Sequence, residues 1–513
     1  MQSLSIKSTV RCKLFCAILL LCVATNVFAQ SRRAYKWPAG SFGMLASYNE
    51  SARKYKAVVA DWDSAYYFSL GSTSICDTNG KLLLLSNCFN LFTANMQHHG
   101  TKYQFCDSIL YNYQNGKSNQ PQSALILPLQ GNKYVLITAT VSDSAMQLAL
   151  PNLTQPADKL RYYSIEMNDE GSLKSLSPGT QLSPGIMWSR TQMMACRHGN
   201  GKDWWLLKRT YAGDAIYTYR FNTDGTVQEL GLTAIPWLPQ SIIDLVGTIS
   251  FNSTGTEFAC ARTDLQRMFF RCSFDRCSGA IQPMEKLSPP IYAQDSFVGI
   301  IDSIPRSCVY SPNGRFVYLA RFTQIVQIDL QDTNEATRYH KVCDIDTSID
   351  RFMGYSTMYV GLNGQIFIGN WGGLSTQMST IDQPNLKGAA CSFCARCFRY
   401  DDTAYVAMVA PPNLPDFQLG KRWCGEDTTS TPTQWHIYPN PATDILYIDV
   451  PDSTATSIEV RIINAAGQLV SKGMYTVSAT HKAELSISHL ARACYFVQVV
   501  HGEQRVTKKV LKI

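Results

Sequence analysis

The densest grouping of chemically capable side chains in this sequence is Arg197-His198 followed by Asp203-Trp204-Trp205, on the two arms of one expected hairpin. An arginine, a histidine and two broad aromatic faces at that spacing could line a pocket for a sugar or an acidic group. The same residues also fit a structural role, with Trp204 or Trp205 packed between neighbouring sheets and Arg197 paired to Asp203 across the turn. Close carboxylates occur at Asp61-Trp62-Asp63 and at Asp401-Asp402, as acid-base or calcium chemistry requires. Neighbours on a strand point to opposite faces, so Asp401 and Asp402 cannot easily converge there, and the carboxylates read as solvated turn residues. His98-His99-Gly100 reads as a surface loop and Met193-Met194 as core filler.

The tightest cysteine cluster is Cys391-Ser-Phe-Cys394-Ala-Arg-Cys397, with Cys424 downstream. Two thiolates at C-x2-C spacing can share a tetrahedral zinc ion, but a second such pair is missing, so no metal site is assigned. Disulfides are the expectation: Cys391 or Cys397 with Cys424, Cys272 with Cys277, and Cys88 with Cys106. No nucleophile elbow, zinc-protease helix, phosphate loop or calcium loop occurs, so no catalytic residue and no cofactor is assigned. The formal charge of +7 is dispersed, and without basic clusters carrying interleaved aromatics no nucleic-acid partner is expected.

The elements that must position these residues repeat along the chain. A strand, a polar turn ending in glycine and an apolar strand recur around Gly80, Gly131, Gly201, Gly255, Gly314 and Gly364, at spacings of 51, 70, 54, 59 and 50 residues. Hairpin turns of this kind need φ > 0, which glycine supplies. A period of this length predicts four-stranded blades, and runs such as Arg161–Met167, Ile216–Phe221, Met268–Phe274 and Ile325–Leu330 supply further strands. Long helical periodicity is absent. The expected fold class is therefore all-β: a six- to seven-bladed β-propeller over residues 30–424, whose first and last blades close on each other.

Residues 1–29 read as a signal peptide, with Lys7, Arg11 and Lys13 ahead of an apolar core and cleavage expected after Ala29. Removing that leader takes three positive charges and no acid, leaving +4, and takes Cys12, Cys16 and Cys22, leaving fourteen of the 17 cysteines. An even number is compatible with bridges in an oxidising compartment. Residues 425–435 have the polar composition of a tether. Beyond it, seven or so short strands in residues 436–513 predict a small Ig-like β-sandwich.

Four features of that last stretch carry a resemblance: Tyr438-Pro439-Asn440-Pro441-Ala442-Thr443-Asp444, the turn at Gly467, the strand that Tyr495 begins, and the basic-apolar end containing Lys508 and Lys509. They resemble the C-terminal sorting domain (type A) of the type IX secretion system. This implies the secretion machinery as partner, delivery to the cell surface or the exterior, and removal of the tail, with release or attachment to surface lipopolysaccharide. One departure is Ala493-Cys494, where such domains often carry glycine, so a left-handed position there would be strained. The front part, through Ser311-Pro312-Asn313-Gly314, Arg197 to Leu207, Phe274 to Gly279 and Leu414-Pro-Asp-Phe417, resembles TolB-like and WD-repeat-like propellers and uncharacterised bacterial surface propellers ending in this tail. That resemblance implies a fold and a location without an activity. Two functions follow: a non-enzymatic module binding an extracellular glycan, peptide or matrix component, or a secreted hydrolase or lyase with its site in the propeller channel.

Overall fold

The computed structural model describes residues 32–39, 44–59, 67–148, 156–211, 215–235, 247–261, 269–290, 305–345, 354–371, 377–399, 410–420, 424, 435–438, 442, 444–451, 455–478, 482–501 and 504–512. The expected leader, Asp61 to Asp63, Asp401-Asp402, and Pro439, Asn440 and Pro441 of the tail lie outside them. The chain divides into two compact units, 1–422 and 423–513.

In the first unit the described residues form seven antiparallel sheets in chain order: 36–59, 73–99, 124–181, 188–234, 249–287, 305–344 and 354–399, here blades 1 to 7. Blade 1 has three strands, blade 3 has five and the others have four. Each glycine of the repeat sits in the turn between the first and second strands of its blade, with φ between 67° and 85°. Blade 1 is the blade that the six-glycine repeat does not contain.

The first strands lie side by side from blade to blade, so they face the axis. The ring closes through Trp37 of blade 1, a fully buried ring packed against Phe367, Tyr359 and Phe398 of blade 7 at centroid distances of 5.5, 6.0 and 6.4 Å. Buried on both faces, the first and second strands carry near-continuous apolar runs, such as Ala124–Pro128 and Leu82–Ser86. The outermost strand of blade 4, Val227–Ala234, has one wet face and alternates. Since strands alternate in direction, all the glycine turns lie on one face of the disc, the turn face.

Among the described residues the second unit holds seven strands in two sheets. His436–Tyr438, Ile445–Asp449 and Lys482–Ser486 make one, and Leu469–Thr476, Ser457–Asn464, Cys494–His501 and Gln504–Leu511 the other. They enclose one core, built from Leu446, Ile448, Val460, Ile462, Leu485, Tyr495, Val497 and their neighbours. Gly467 takes φ 81° in the turn that joins Asn464 to Gln468. The strain anticipated at Ala493-Cys494 does not arise. Neither residue has a positive φ, and the Ala493 carbonyl accepts an ordinary 2.9 Å bond from the Lys512 N–H.

Candidate functional site

Arg197 ends the first strand of blade 4 and Trp204 begins the second, directly opposite it in register. All five candidate residues are buried: Arg197 is 4% exposed, His198 1%, Asp203 5%, Trp204 0% and Trp205 2%. Because successive side chains on a strand leave opposite faces, the two tryptophans latch blade 4 to both neighbours. Trp204 donates its indole N–H to the Pro128 carbonyl of blade 3 at 2.9 Å, and Trp205 donates to the Arg276 carbonyl of blade 5 at 2.7 Å. The structural role stated for one tryptophan is thus filled by both.

The Arg197–Asp203 pair expected across the turn does not form. Asp203 is bound bidentately by Arg220 on the third strand, at 2.8 and 3.2 Å, and also accepts from Asn200 and from the Thr223 N–H. These partners outweigh burial and hold its carboxyl below the usual range. Arg197 stacks instead 4.3 Å over the Trp204 ring and donates to the Gly201 carbonyl at 2.8 Å.

His198 is committed at both nitrogens. Its Nδ1 accepts from the Asn200 N–H at 3.0 Å, its Nε2 donates to the Cys277 carbonyl at 3.1 Å, and its ring lies 5.0 Å from that of Trp205. Burial, with Arg220 nearby, pushes its pKa down. The same direction, set first by burial, holds for His98, His99 and His340. Around pH 6 the unfolded chain therefore binds more protons than the folded one, and stability falls as pH drops below about 6.5. The urea midpoint should accordingly be lower at pH 5.5 than at pH 7.5, with a shallower slope in His198→Asn. A flat midpoint over that interval would refute the assignment.

The axis itself is occupied by the chain's own residues 410–414. Ala410 lies against Gly369 of blade 7, at a distance no Cβ on that glycine would leave free. Asn413 then ties together three blades. Its N–H donates to the Ser72 carbonyl at 2.8 Å, its carbonyl accepts from the Thr73 hydroxyl at 2.9 Å, and its side-chain amide donates to the carbonyls of Ala124 and Met193 at 3.0 and 3.1 Å. Beyond Leu414 the segment reaches the turn face and lies across blade 4 as a strap. Phe417 packs 5.9 Å from Trp204 on one side, and Leu419 joins the Cys196–Phe258 core on the other. Asp416 and Gln418 alternate outward as exposed residues. Arg276 anchors the end, donating to the carbonyls of Gly420, Arg197 and Thr254 at 2.6, 2.8 and 3.3 Å. At Gly255, beside this anchor, a Cβ would come within 2.8 Å of Arg276 and Cys196, so glycine is required for space as well as for φ.

Two other readings change. His98-His99 is a short strand at the outer edge of blade 2, not a loop, with the rings half-buried and bonded to Asn90 and Thr93. The expected disulfides are also revised. Cys394 is bonded to Cys397, while Cys88, Cys106, Cys272 and Cys391 are buried thiols, so none of the three proposed bridges forms. Cys277 and Cys424 are each disulfide-bonded. Buried thiols behave as small apolar side chains, and an even count therefore says little about bridging. Burial pushes the thiols of Cys76, Cys88, Cys196 and the half-buried Cys343 up to about 12. Native protein treated with a maleimide at pH 7 should thus label at Cys494, whereas ten thiols label after denaturation; several fast native adducts would count against this core.

In the tail, Tyr495 is buried and donates its hydroxyl to the Ala491 carbonyl at 3.0 Å. Lys508 and Lys509 are exposed on the last strand, and Asp444 lies 3.7 Å from the buried Lys512. Tyr438 pairs with Tyr447 across the first sheet. Residues 436–513 match the secretion system C-terminal sorting domain family. The chain is therefore a protein sorted by the type IX secretion system to the cell surface or exterior, and its tail interacts with that machinery. No curated protein matches the chain. Among solved structures, the Pseudomonas aeruginosa periplasmic gluconolactonase is 10% identical, with 82% of this chain and 94% of that one covered, at a TM-score of 0.34. A protein from Lactobacillus plantarum is 10% identical over 72% and 89%, at 0.34. A quinonprotein alcohol dehydrogenase-like protein from Bacteroides thetaiotaomicron is 9% identical over 75% and 77%, at 0.36. Scores this low carry no argument about activity, and the blade description rests on the sheets themselves.

Proposed function

We propose that the chain is an exported, non-enzymatic binding propeller for an extracellular glycan, peptide or matrix component, with residues 1–29 as its signal peptide, 30–424 as the functional body and 425–435 as the tether to an Ig-like sorting domain. After passage the tail is removed, and the body is released or joined to surface lipopolysaccharide. One observation carries the preference for binding: the channel that a hydrolase or lyase would use is entered by residues 410–414, whose Asn413 bonds to blades 2, 3 and 4. The hairpin histidine adds support, because both its nitrogens are already engaged and a general base needs one free.

Residues 30–424 passed over polysaccharide and peptide arrays should give saturable retention with no product. Product formation from any retained polymer would overturn the reading. His198→Ala is a poor discriminator here, because it unseats a buried blade contact whatever the function.

A further inference from the structure

At the turn-face mouth of the channel, Arg197 has Arg33 and Arg276 nearby and a carboxylate, Asp416, that acts on it through space without forming an ion pair with it. Two other well-buried guanidiniums meet carboxylates, Arg271 with Glu257 and Glu285 and Arg338 with Glu285 and Glu335, while Arg276 and Arg321 are held by backbone carbonyls. Arg197 has no ion-pair partner among the described residues. One of its nitrogens is bonded to Gly201, and its buried Nε has no partner. Arg33, half-buried on the adjoining wall, donates to the Cys76 carbonyl at 3.3 Å and lies 5.9 Å from the Tyr134 ring centroid, again without a carboxylate. The wall between them is continuous, because Tyr134 pairs with Pro128, whose carbonyl holds the Trp204 indole beneath Arg197. The acid of the mouth is Asp416 on the strap, exposed and turned back to the Gln418 N–H at 2.8 Å instead of to either arginine.

A buried guanidinium whose nearby acid makes no contact with it is a costly arrangement that an incoming anion relieves. We propose that this mouth binds an acidic saccharide, its carboxylate or sulfate group held by Arg33 and Arg197 and a neighbouring hydroxyl donated to Asp416. The inference rests on the binding reading above and gives it a place and a ligand chemistry. Electrostatics agree with the geometry: burial, then Arg33 and Arg276, pull the Arg197 pKa down to about 10, although Asp416 acts the other way. An anion beside the two arginines reverses the first effect.

The test is calorimetric titration of residues 30–424 at low ionic strength with glucuronate, glucose 6-sulfate and glucose. The two acidic sugars should bind saturably and more weakly as salt rises, while glucose does not. Comparing them separates carboxylate from sulfate as the preferred anion. Arg33→Gln, at a half-exposed position the fold tolerates, should weaken binding about tenfold or more. Asp416→Asn removes the competing charge and should tighten it. Absence of saturable binding by both acidic sugars, equal binding of glucose, or indifference to Arg33→Gln would each overturn the site. If arrays still retain the protein through neutral glycans or peptides, the binding reading survives without this mouth. Turnover of a probe would remove the binding reading itself.

Discussion

A chain ending at Asp427 should fold, enter the periplasm and stay there, with its amount outside the cell falling to background. The reason is the separation of the two cores. Leu446, Val460, Leu485, Val497 and their neighbours form a cluster wholly within residues 435–510, while the clusters of the first unit draw on no residue beyond Leu419. Truncation at 427 leaves the strap and its Arg276 anchor in place, so the address is lost and the folded body is kept. Immunodetection in medium, surface and periplasmic fractions of the native host reads the first effect, and an unchanged urea midpoint reads the second. Equal export of truncated and full chains would overturn the assignment of residues 436–513 as the sorting signal. A collapsed midpoint would instead show that the tail is part of the propeller fold.

Residues differ in how far their roles could be read from sequence, and the difference follows the range of the forces involved. The glycine turns were legible because φ > 0 is a local demand, met within four or five residues. The tail was legible for the same reason: its strands are short, sequential and punctuated by turns, and six expected runs coincide with strands, while the seventh, His436–Tyr438, lies at the start of the stretch read as an extended entry or a turn. Blade 1 was not legible as a repeat. What fixes it is Trp37 packing on blade 7, some 330 residues away along the chain.

At the hairpin, the alternation rule was enough to send the tryptophans to opposite sides. It could not say that Asp203 would turn to Arg220, because which strand comes third in a blade is a tertiary fact. Residues 410–420 carried the weakest signal of all. Their prolines exclude helix and ladder alike, and their alternation of Phe417 and Leu419 with Asp416 and Gln418 gains meaning only against the two clefts of blade 4. Arg33 and Asp416, the two residues that sequence reasoning missed at the mouth, belong to that same class. Charge alone does not mark them, and no local motif sets either residue apart.

Asn413→Asp should destabilise the propeller more than Asn413→Ala, although the aspartate is nearly isosteric. The side-chain amide donates to two carbonyls on different blades, Ala124 and Met193, in a position 5% exposed. Alanine leaves both acceptors unsatisfied, at about 1–3 kcal/mol each. Aspartate does that and also sets an unpaired carboxylate against two carbonyl oxygens, which adds the cost of a buried charge or of its protonation. Gln418→Ala, on the exposed side of the same strap, should stay within about 0.5 kcal/mol of the parent. Urea unfolding of the three variants of residues 30–424 at pH 7.5 gives the comparison. If alanine and aspartate are equal to Gln418→Ala, the segment does not hold the axis together, and the argument from a filled channel to a binding function loses its support. If the order is aspartate, alanine, Gln418→Ala control, from least to most stable, then residues 410–420 are the closing element of the propeller body. The channel that the blades would otherwise leave open is then sealed from within by the polypeptide that makes them.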